Sequence, residues 1–393
     1  ACVDVALAGV RRFAGECLWS APEDTVRLFG QGTALRLSGE QARRFPGDAI
    51  FAEARVAASP LAFFLVSPAD TDPEADLWIP RVVVRASAEG AVVTLAAMAD
   101  ATPEGILAGR LADDLALVFS LSSAGPRRRS TISVTSTDAA VWCDRVRRTI
   151  AAIEAGAVEK VVLARRSDAV ASEPIEPAGL AARLGRDHPT TCVFALPLDG
   201  GRLVAASPER LLVRRGDRVF TDALAGTGTD DEALLASAKD RREHAIVVDH
   251  LRSRLSAVCD AIEVADEPSI MALPPIRHLW TRLSGRLRPT VGFLEAVLHL
   301  HPSPAVLGAP PDAARRWLTS QGERRDAGYT GVAGWIDRDG DGDAAVVLRS
   351  VHLVGRRAVL WAGAGIVAGS DPDAEWAETV LKTSTLLRAL EEA

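Results

Sequence analysis

The chain is expected to fold as α+β, built on large antiparallel sheets, for three reasons. β-rich runs recur along it, among them LAFFLVSP, PRVVVRAS, CVFALPL, GRLVAAS and RLLVRR. Helix-length stretches with apolar faces lie between them. The late strands follow one another as hairpins and not as strand–helix–strand units, which disfavours a doubly wound parallel sheet.

Residues 1 to about 120 read as strands and turns, with RVVVRASAEGAVVTLAA forming a hairpin that turns at Glu89 and Gly90. The Gly/Pro/Ser-rich, basic stretch SSAGPRRRSTIS, from Ser122 to Ser133, reads as a solvated loop. It separates residues 1–125, a β-rich N-terminal part of the same fold, from residues 135–393. A helix then starts at an Asp138 cap, carries the stripe Trp142, Val146, Ile150 and Ile153, and stops at Gly156. The strand AVEKVVLAR follows, and a long helix is expected from about Glu232 to Cys259. Another helix is expected near Gly292 to His299, then the strands TGVAGWID, AAVVLRSVHLV and RAVLWAGAG, and a last helix from about Pro372 to Glu391.

The 393 residues are 48% hydrophobic and 25% charged, the profile of an ordinary globular protein with a large core. A net charge of −7 argues against nucleic acid or an anionic membrane as the main partner. Five scattered cysteines without a CxxC spacing read as reduced thiols. The N-terminus lacks the pattern of a signal peptide, and no apolar run approaches the ~20 residues that span a bilayer. A cytoplasmic protein is expected, and nothing in the sequence demands more than a monomer.

Two helical segments each carry acids three residues apart: Asp240 and Glu243 in KDRREHAIVVDHL, and Glu375 and Glu378 in DAEWAETVLKTSTLL. Residues at i and i+3 share a helix face. If the helices meet, four carboxylates can surround a hard cation, most naturally Mg²⁺. A solvated acidic face is the commoner fate of such pairs.

Other residues carry weaker signals. Lys160 in VEKVVLAR shares a strand face with Val158 and Val162, where burial would make it a base; by spacing alone it reads as an edge-strand lysine. Glu209 in SPERLL would serve as an acid if desolvated and otherwise is an exposed turn residue. Arg349, placed in the strand AAVVLRSV, needs an anionic partner if buried, from the protein or a ligand. His278 and Tyr329 read first as residues completing core hydrogen bonds. GAGIVAG, from Gly363 to Gly369, has the spacing GxGxxxG and no following ribose-binding acid, so it is no dinucleotide fingerprint, though it can present N–H groups to an anion. AGTGT is likewise no P-loop. DRDGDGD places Leu348 where a calcium loop needs Glu, and is read as an acidic hairpin turn.

Taken in order, EKVVLAR, SPERLL, ALAGT, KDRREH, HPSPAVLGAP, YTGVAGW, VLRS, WAGAGI and EWAETVLKT resemble the chorismate-utilising enzymes, a family that includes isochorismate, salicylate and anthranilate synthases. The resemblance runs from about Trp142 to the C-terminus, about two thirds of the chain. It implies sheets packed face to face with helices outside, and makes 135–393 the chorismate-binding catalytic region. It implies Lys160 as the base that activates water for attack at ring C2, and Glu209 as the acid that protonates the departing C4 hydroxyl. Glu243 and Glu378 would lie nearest Mg²⁺, with Asp240 and Glu375 acting through its water; the family usually has Glu at position 240. Arg349 and Tyr329 would grip the enolpyruvyl carboxylate, with Gly363 and Gly365 offering N–H groups and Lys382 nearby. Gly226, Thr227, His278 and Ala305 would line the ring pocket.

Ammonia-using members lack a lysine at position 160, so its presence implies water as nucleophile. Ala225 stands where one type of aminodeoxychorismate synthase carries lysine, which removes a covalent intermediate. Isochorismate synthase is favoured over salicylate synthase by overall length; Tyr329 together with Ala305 leaves a mixed pattern at the lyase positions. Menaquinone and siderophore pathways both remain open.

Overall fold

The computed structural model describes residues 4–7, 16–22, 27–43, 61–72, 74–86, 91–96, 108–110, 112–114, 116, 130–274 and 276–392. They form a 12-stranded and a 10-stranded sheet in which neighbouring strands run antiparallel. The α+β expectation holds. Residues Val161, Leu163, Ala364 and Ile366 of the first sheet join Phe64, Leu212, Val332 and Val346 of the second in one buried cluster. The sheets therefore pack face to face.

N-terminal strands extend both layers. Cys17–Ser20 pairs with Cys192–Leu198 in the larger sheet, and Leu61–Val66 pairs with Val332–Asp337 in the smaller. The Val82–Ala86 and Ala91–Leu95 hairpin forms in register Ala86 to Ala91, while its turn at Glu89 and Gly90 lies outside the described residues. Residues 122–129 of the basic stretch also lie outside them.

The Ala139–Glu154 helix starts as expected, with the Asp138 carboxylate accepting the Ala140 N–H at 2.7 Å. Its buried face runs through Trp142, Val146, Thr149 and Ala152, so Ile150 and Ile153 sit at the margin. Thr149 is tolerated inside because its hydroxyl accepts Trp317 Nε1 at 3.0 Å and donates to the Arg145 carbonyl at 2.9 Å. The Phe293–Leu300 and Pro372–Glu391 helices agree closely with expectation.

Two expectations need correction. The long helix is two, Asp231–Ala236 and Ala238–Val258, interrupted at Ser237. Ser237 caps the second helix by accepting the Asp240 N–H at 3.2 Å, the competition with continued helix that serine favours. AAVVLRSVHLV is also two elements, Gly342–Val346 in the smaller sheet and Ser350–Val354 in the larger. The long strands Arg218–Gly228 and Ile276–Leu287 and the Pro311–Ser320 helix have no counterpart in the sequence reading. Buried Thr221, Thr281, Ser284 and Asp222 interrupt the apolar alternation that would mark those strands.

The acidic hairpin turn is present. Asp337 Oδ1 accepts the N–H groups of Asp339 and Asp341, each at 3.0 Å, and closes the loop on itself. Cys17, Cys143 and Cys259 are buried thiols. No helix among the described residues is long and apolar enough to cross a membrane.

Phe293 is fully buried and meets Phe64 edge-on at 6.3 Å, tying a helix to the smaller sheet. Phe293→Ala is expected to cost ~3–5 kcal/mol, read as a lower urea midpoint with an unchanged slope.

Candidate active site

Two adjacent passages of the chain between the sheets each carry a charged side chain. One joins Gly201–Ser207 to Arg210–Arg215 and carries Glu209; the other joins Gly342–Val346 to Ser350–Val354 and carries Arg349. They are stitched together where Val346 N–H donates to the Glu209 carbonyl at 3.0 Å and Ala206 N–H to the Arg349 carbonyl at 3.1 Å. Arg349 is therefore not a strand residue. It sits at φ +47°, a strained conformation for a side-chain-bearing residue that turns the chain from one sheet into the other.

A cleft opens beside these passages. Every expected site residue lines it except Lys160, Asp240 and Glu375, which lie just behind. Atoms at or behind its wall that are sealed from solvent and lack a hydrogen-bond partner among the described residues include Lys160 Nζ, Glu209 Oε1, Arg349 Nη2 and Asp240 Oδ1. Buried polar groups are normally satisfied, so such a concentration marks a place for a ligand.

Lys160 is not an edge-strand residue. It pairs with Ala309, the next residue Val161 pairs with Ile366, and its side chain has no solvent exposure. Its Nζ lies 2.9 Å from Glu243 Oε1, close enough for an ion pair but not aligned as a hydrogen bond. Gly365 permits this approach: a Cβ there would stand 2.2 Å from Glu243 Oε1 and 3.0 Å from Lys160 Cε.

Glu209 is no exposed turn residue either, at 2% exposure. Burial pushes its carboxyl up to about 8; Lys160 and the neighbouring Ser303 hydroxyl oppose the rise and Asp222 reinforces it. Burial lowers Arg349 to about 10, with Glu378 and Tyr329 opposing. Burial also raises the Tyr329 phenol to about 12. Its ring stacks on Trp361 at 5.6 Å.

A bulge at Gly226, φ +78°, shifts the register between Arg218–Gly228 and Ile276–Leu287 and sets Thr227 opposite His278. His278 Nδ1 lies 3.2 Å from the Gly226 carbonyl and 3.1 Å from Thr227 Oγ1. A carbonyl only accepts, so Nδ1 carries the proton. Burial first, then Lys382 and Arg349, lower His278 to about 3 and keep it neutral.

The two acid-bearing helices do meet, and the solvated-face reading fails. Asp240, Glu243 and Glu375 are 9%, 7% and 3% exposed. The acids, however, do not converge on one point: no three His, Cys, Asp or Glu side chains among the described residues are grouped as a metal site. Each acid has a nearer partner. Lys239 Nζ donates to Glu375 Oε1 at 3.0 Å, Lys382 Nζ to Glu378 Oε1 at 2.6 Å, and Ser237 Oγ to Asp240 Oδ2. Like charges this close repel, and the ammonium groups separate them. Burial and then Glu378 raise the Glu375 carboxyl, with Lys239 opposing. Burial lowers the Lys239 ammonium, but Glu375, Glu243 and Asp240 raise it more. The donors, all carboxylate oxygens with mutually unfavourable fields, have the chemistry that suits a hard divalent cation such as Mg²⁺.

Several residues in and around the cleft carried no separate sequence signal. Ser303, fully buried, and Asp222 both bear on Glu209. Arg325 donates to the Val162 carbonyl at 2.6 Å, the Val306 carbonyl at 2.5 Å and Glu323 Oε1 at 2.9 Å, joining the Lys160 strand to the loop that carries Ala305. SPERLL and GYTGVAGW flag the neighbourhood, but only contacts reveal these roles.

Glu209 ordinarily titrates at 4.5, so between 4.5 and about 8 the folded protein holds a proton that the unfolded chain has lost. This contribution to stability is present below 4.5 and is lost as pH rises through about 8. Glu209→Gln is expected to stabilise the fold by ~1–3 kcal/mol at alkaline pH and little at acid pH, measured by urea unfolding at both. Gly365→Ala should keep the fold but break the Lys160–Glu243 contact, visible as a displaced Glu243 in a crystal structure.

The model of the chorismate binding enzyme family matches residues 5–391. Isochorismate synthase DhbC of Bacillus subtilis is 37% identical over 264 residues, 62% of this chain and 66% of that protein. Isochorismate synthase MenF of the same organism is 28% identical over 422 residues, 97% of this chain and 89% of that protein. The solved structure of MenF, the menaquinone-specific isochorismate synthase from Escherichia coli, superposes with a TM-score of 0.83 at 26% identity, covering 99% of this chain and 94% of that one. The same two-sheet architecture, matched along nearly the whole chain, places the protein among the chorismate binding enzymes.

Proposed function

We propose that this chain is an isochorismate synthase, an isomerase that moves the chorismate hydroxyl from ring C4 to ring C2. The supporting observation is a group of sealed atoms at the cleft that lack a hydrogen-bond partner among the described residues, Lys160 Nζ, Glu209 Oε1 and Arg349 Nη2 among them. They are a base, an acid and an anion grip, the set that a dicarboxylate losing a poor leaving group requires.

Lys160 takes a proton from the water that attacks C2. The ring double bonds shift as the C4–O bond breaks, and Glu209, protonated below about 8, gives its proton to the departing hydroxyl. One water enters and one leaves; Lys160 then gives its extra proton to solvent and Glu209 takes one back. Arg349 holds the enolpyruvyl carboxylate, with Tyr329 beside it. Neutral His278 and Thr227 flank the ring without adding charge. Glu243 and Glu378, backed by Asp240 and Glu375, would hold Mg²⁺, which when bound would neutralise and orient the ring carboxylate. Ala305 lines the cleft with a methyl group and offers no acid or base for pyruvate loss.

Three experiments test the reading. Chromatography of a chorismate and Mg²⁺ reaction should show isochorismate with little pyruvate, and Lys160→Ala should lower turnover by ~10²–10⁴-fold while retaining the native circular dichroism. Pyruvate formed in step with chorismate consumption, or near-normal turnover of the variant, would overturn it. The pH profile of kcat/KM should fall as pH rises through about 8, where Glu209 loses its proton; a flat profile to pH 9 removes Glu209 as the acid.

A further inference from the structure

We propose that Lys239 is an internal counter-cation that holds the two acid-bearing helices together before a divalent cation arrives, and that it must release Glu375 for the cation to bind. The inference rests on the metal reading above.

Lys239 lies on the Ala238–Val258 helix and Glu375 on the Pro372–Glu391 helix, so their 3.0 Å ion pair bridges the two. The same ammonium is 3.6 Å from Asp240 Oδ1, so it touches one acid of each pair. The neighbouring Lys382–Glu378 pair stays within one helix and cannot make this bridge. The two partners are unequal in exposure. The Glu375 side chain is 3% exposed, whereas Lys239 is 29% exposed. A sealed carboxylate cannot turn to water, and leaving it unmatched is costly. A lysine on a flexible stem at the margin can swing into solvent at little cost. Lys239 is thus the partner that moves, and a cation of higher charge, reaching Glu375 through its bound water, is its natural replacement.

This arrangement makes Lys239 a competitor for the metal and a clamp in its absence. Mg²⁺ alone would be titrated calorimetrically into substrate-free wild type, Lys239→Met and Lys239→Arg. Methionine keeps the aliphatic stem without the charge. Lys239→Met is expected to bind Mg²⁺ about fivefold more tightly, and Lys239→Arg to stay within about twofold of wild type. Without metal, Lys239→Met should melt at a lower temperature than wild type, and Mg²⁺ should restore more of its stability. In wild type, Mg²⁺ should raise the modification of Lys239 by an amine reagent severalfold, read by mass spectrometry. Unchanged or weaker Mg²⁺ binding by Lys239→Met overturns the clamp, as does unchanged labelling of Lys239 under saturating Mg²⁺. If neither wild type nor Lys239→Met binds Mg²⁺, the metal reading itself fails and this inference with it.

Discussion

The site depends on two neighbouring passages of the chain between its sheets. A strand that ends in one layer and resumes in the other leaves a gap in the ladder, and backbone groups in that gap need partners. Here each passage satisfies the other, through the Glu209 and Arg349 carbonyls. Their side chains are carried into the space between the layers as a consequence. The strained φ of Arg349 is retained because the stitched backbone allows that residue little alternative. Arg325 braces the same region from behind, its side chain fully buried and its donors spread over two carbonyls and Glu323.

Ions drawn out of water must be matched by other ions, and that condition organises the rest. Lys160 faces Glu243, Lys382 faces Glu378 and Lys239 faces Glu375. Two groups are less fully matched. Glu209 is buried with less compensation than it needs and holds its proton, while Arg349 keeps a donor unspent. Such groups lower the stability of the empty protein and become satisfied only when a ligand with complementary charge arrives. Close packing adds a steric condition, since Lys160 and Glu243 meet only because Gly365 has no side chain.

Local pattern was sufficient for much of this. Caps and periodicity located the Ala139–Glu154, Phe293–Leu300 and Pro372–Glu391 helices. The motif order marked the residues that line the cleft. Pattern failed where the decisive contact is distant. AAVVLRSVHLV reads as one apolar strand because nothing in its alternation records that its halves join different sheets. Ser237 breaks a helix that propensity would continue. Thr and Ser positions in the strand Ile276–Leu287 look polar yet are buried, because neighbouring side chains take up their hydroxyls, as Thr281 does with His244 at 2.7 Å.

The sequence by itself determined the fold class and the family resemblance, because β-rich runs, helix periods and short motifs are local; the acids, the base and the arginine proposed for the site came through that resemblance. Only the tertiary structure decided that Lys160 and Glu209 are sealed from water, that Arg349 stands at a passage between sheets, and that lysines hold the paired acids. Those properties depend on desolvation and on charges brought together from far along the chain, as when Lys239 meets Glu375 across two helices. Spacing along the sequence carries no record of either.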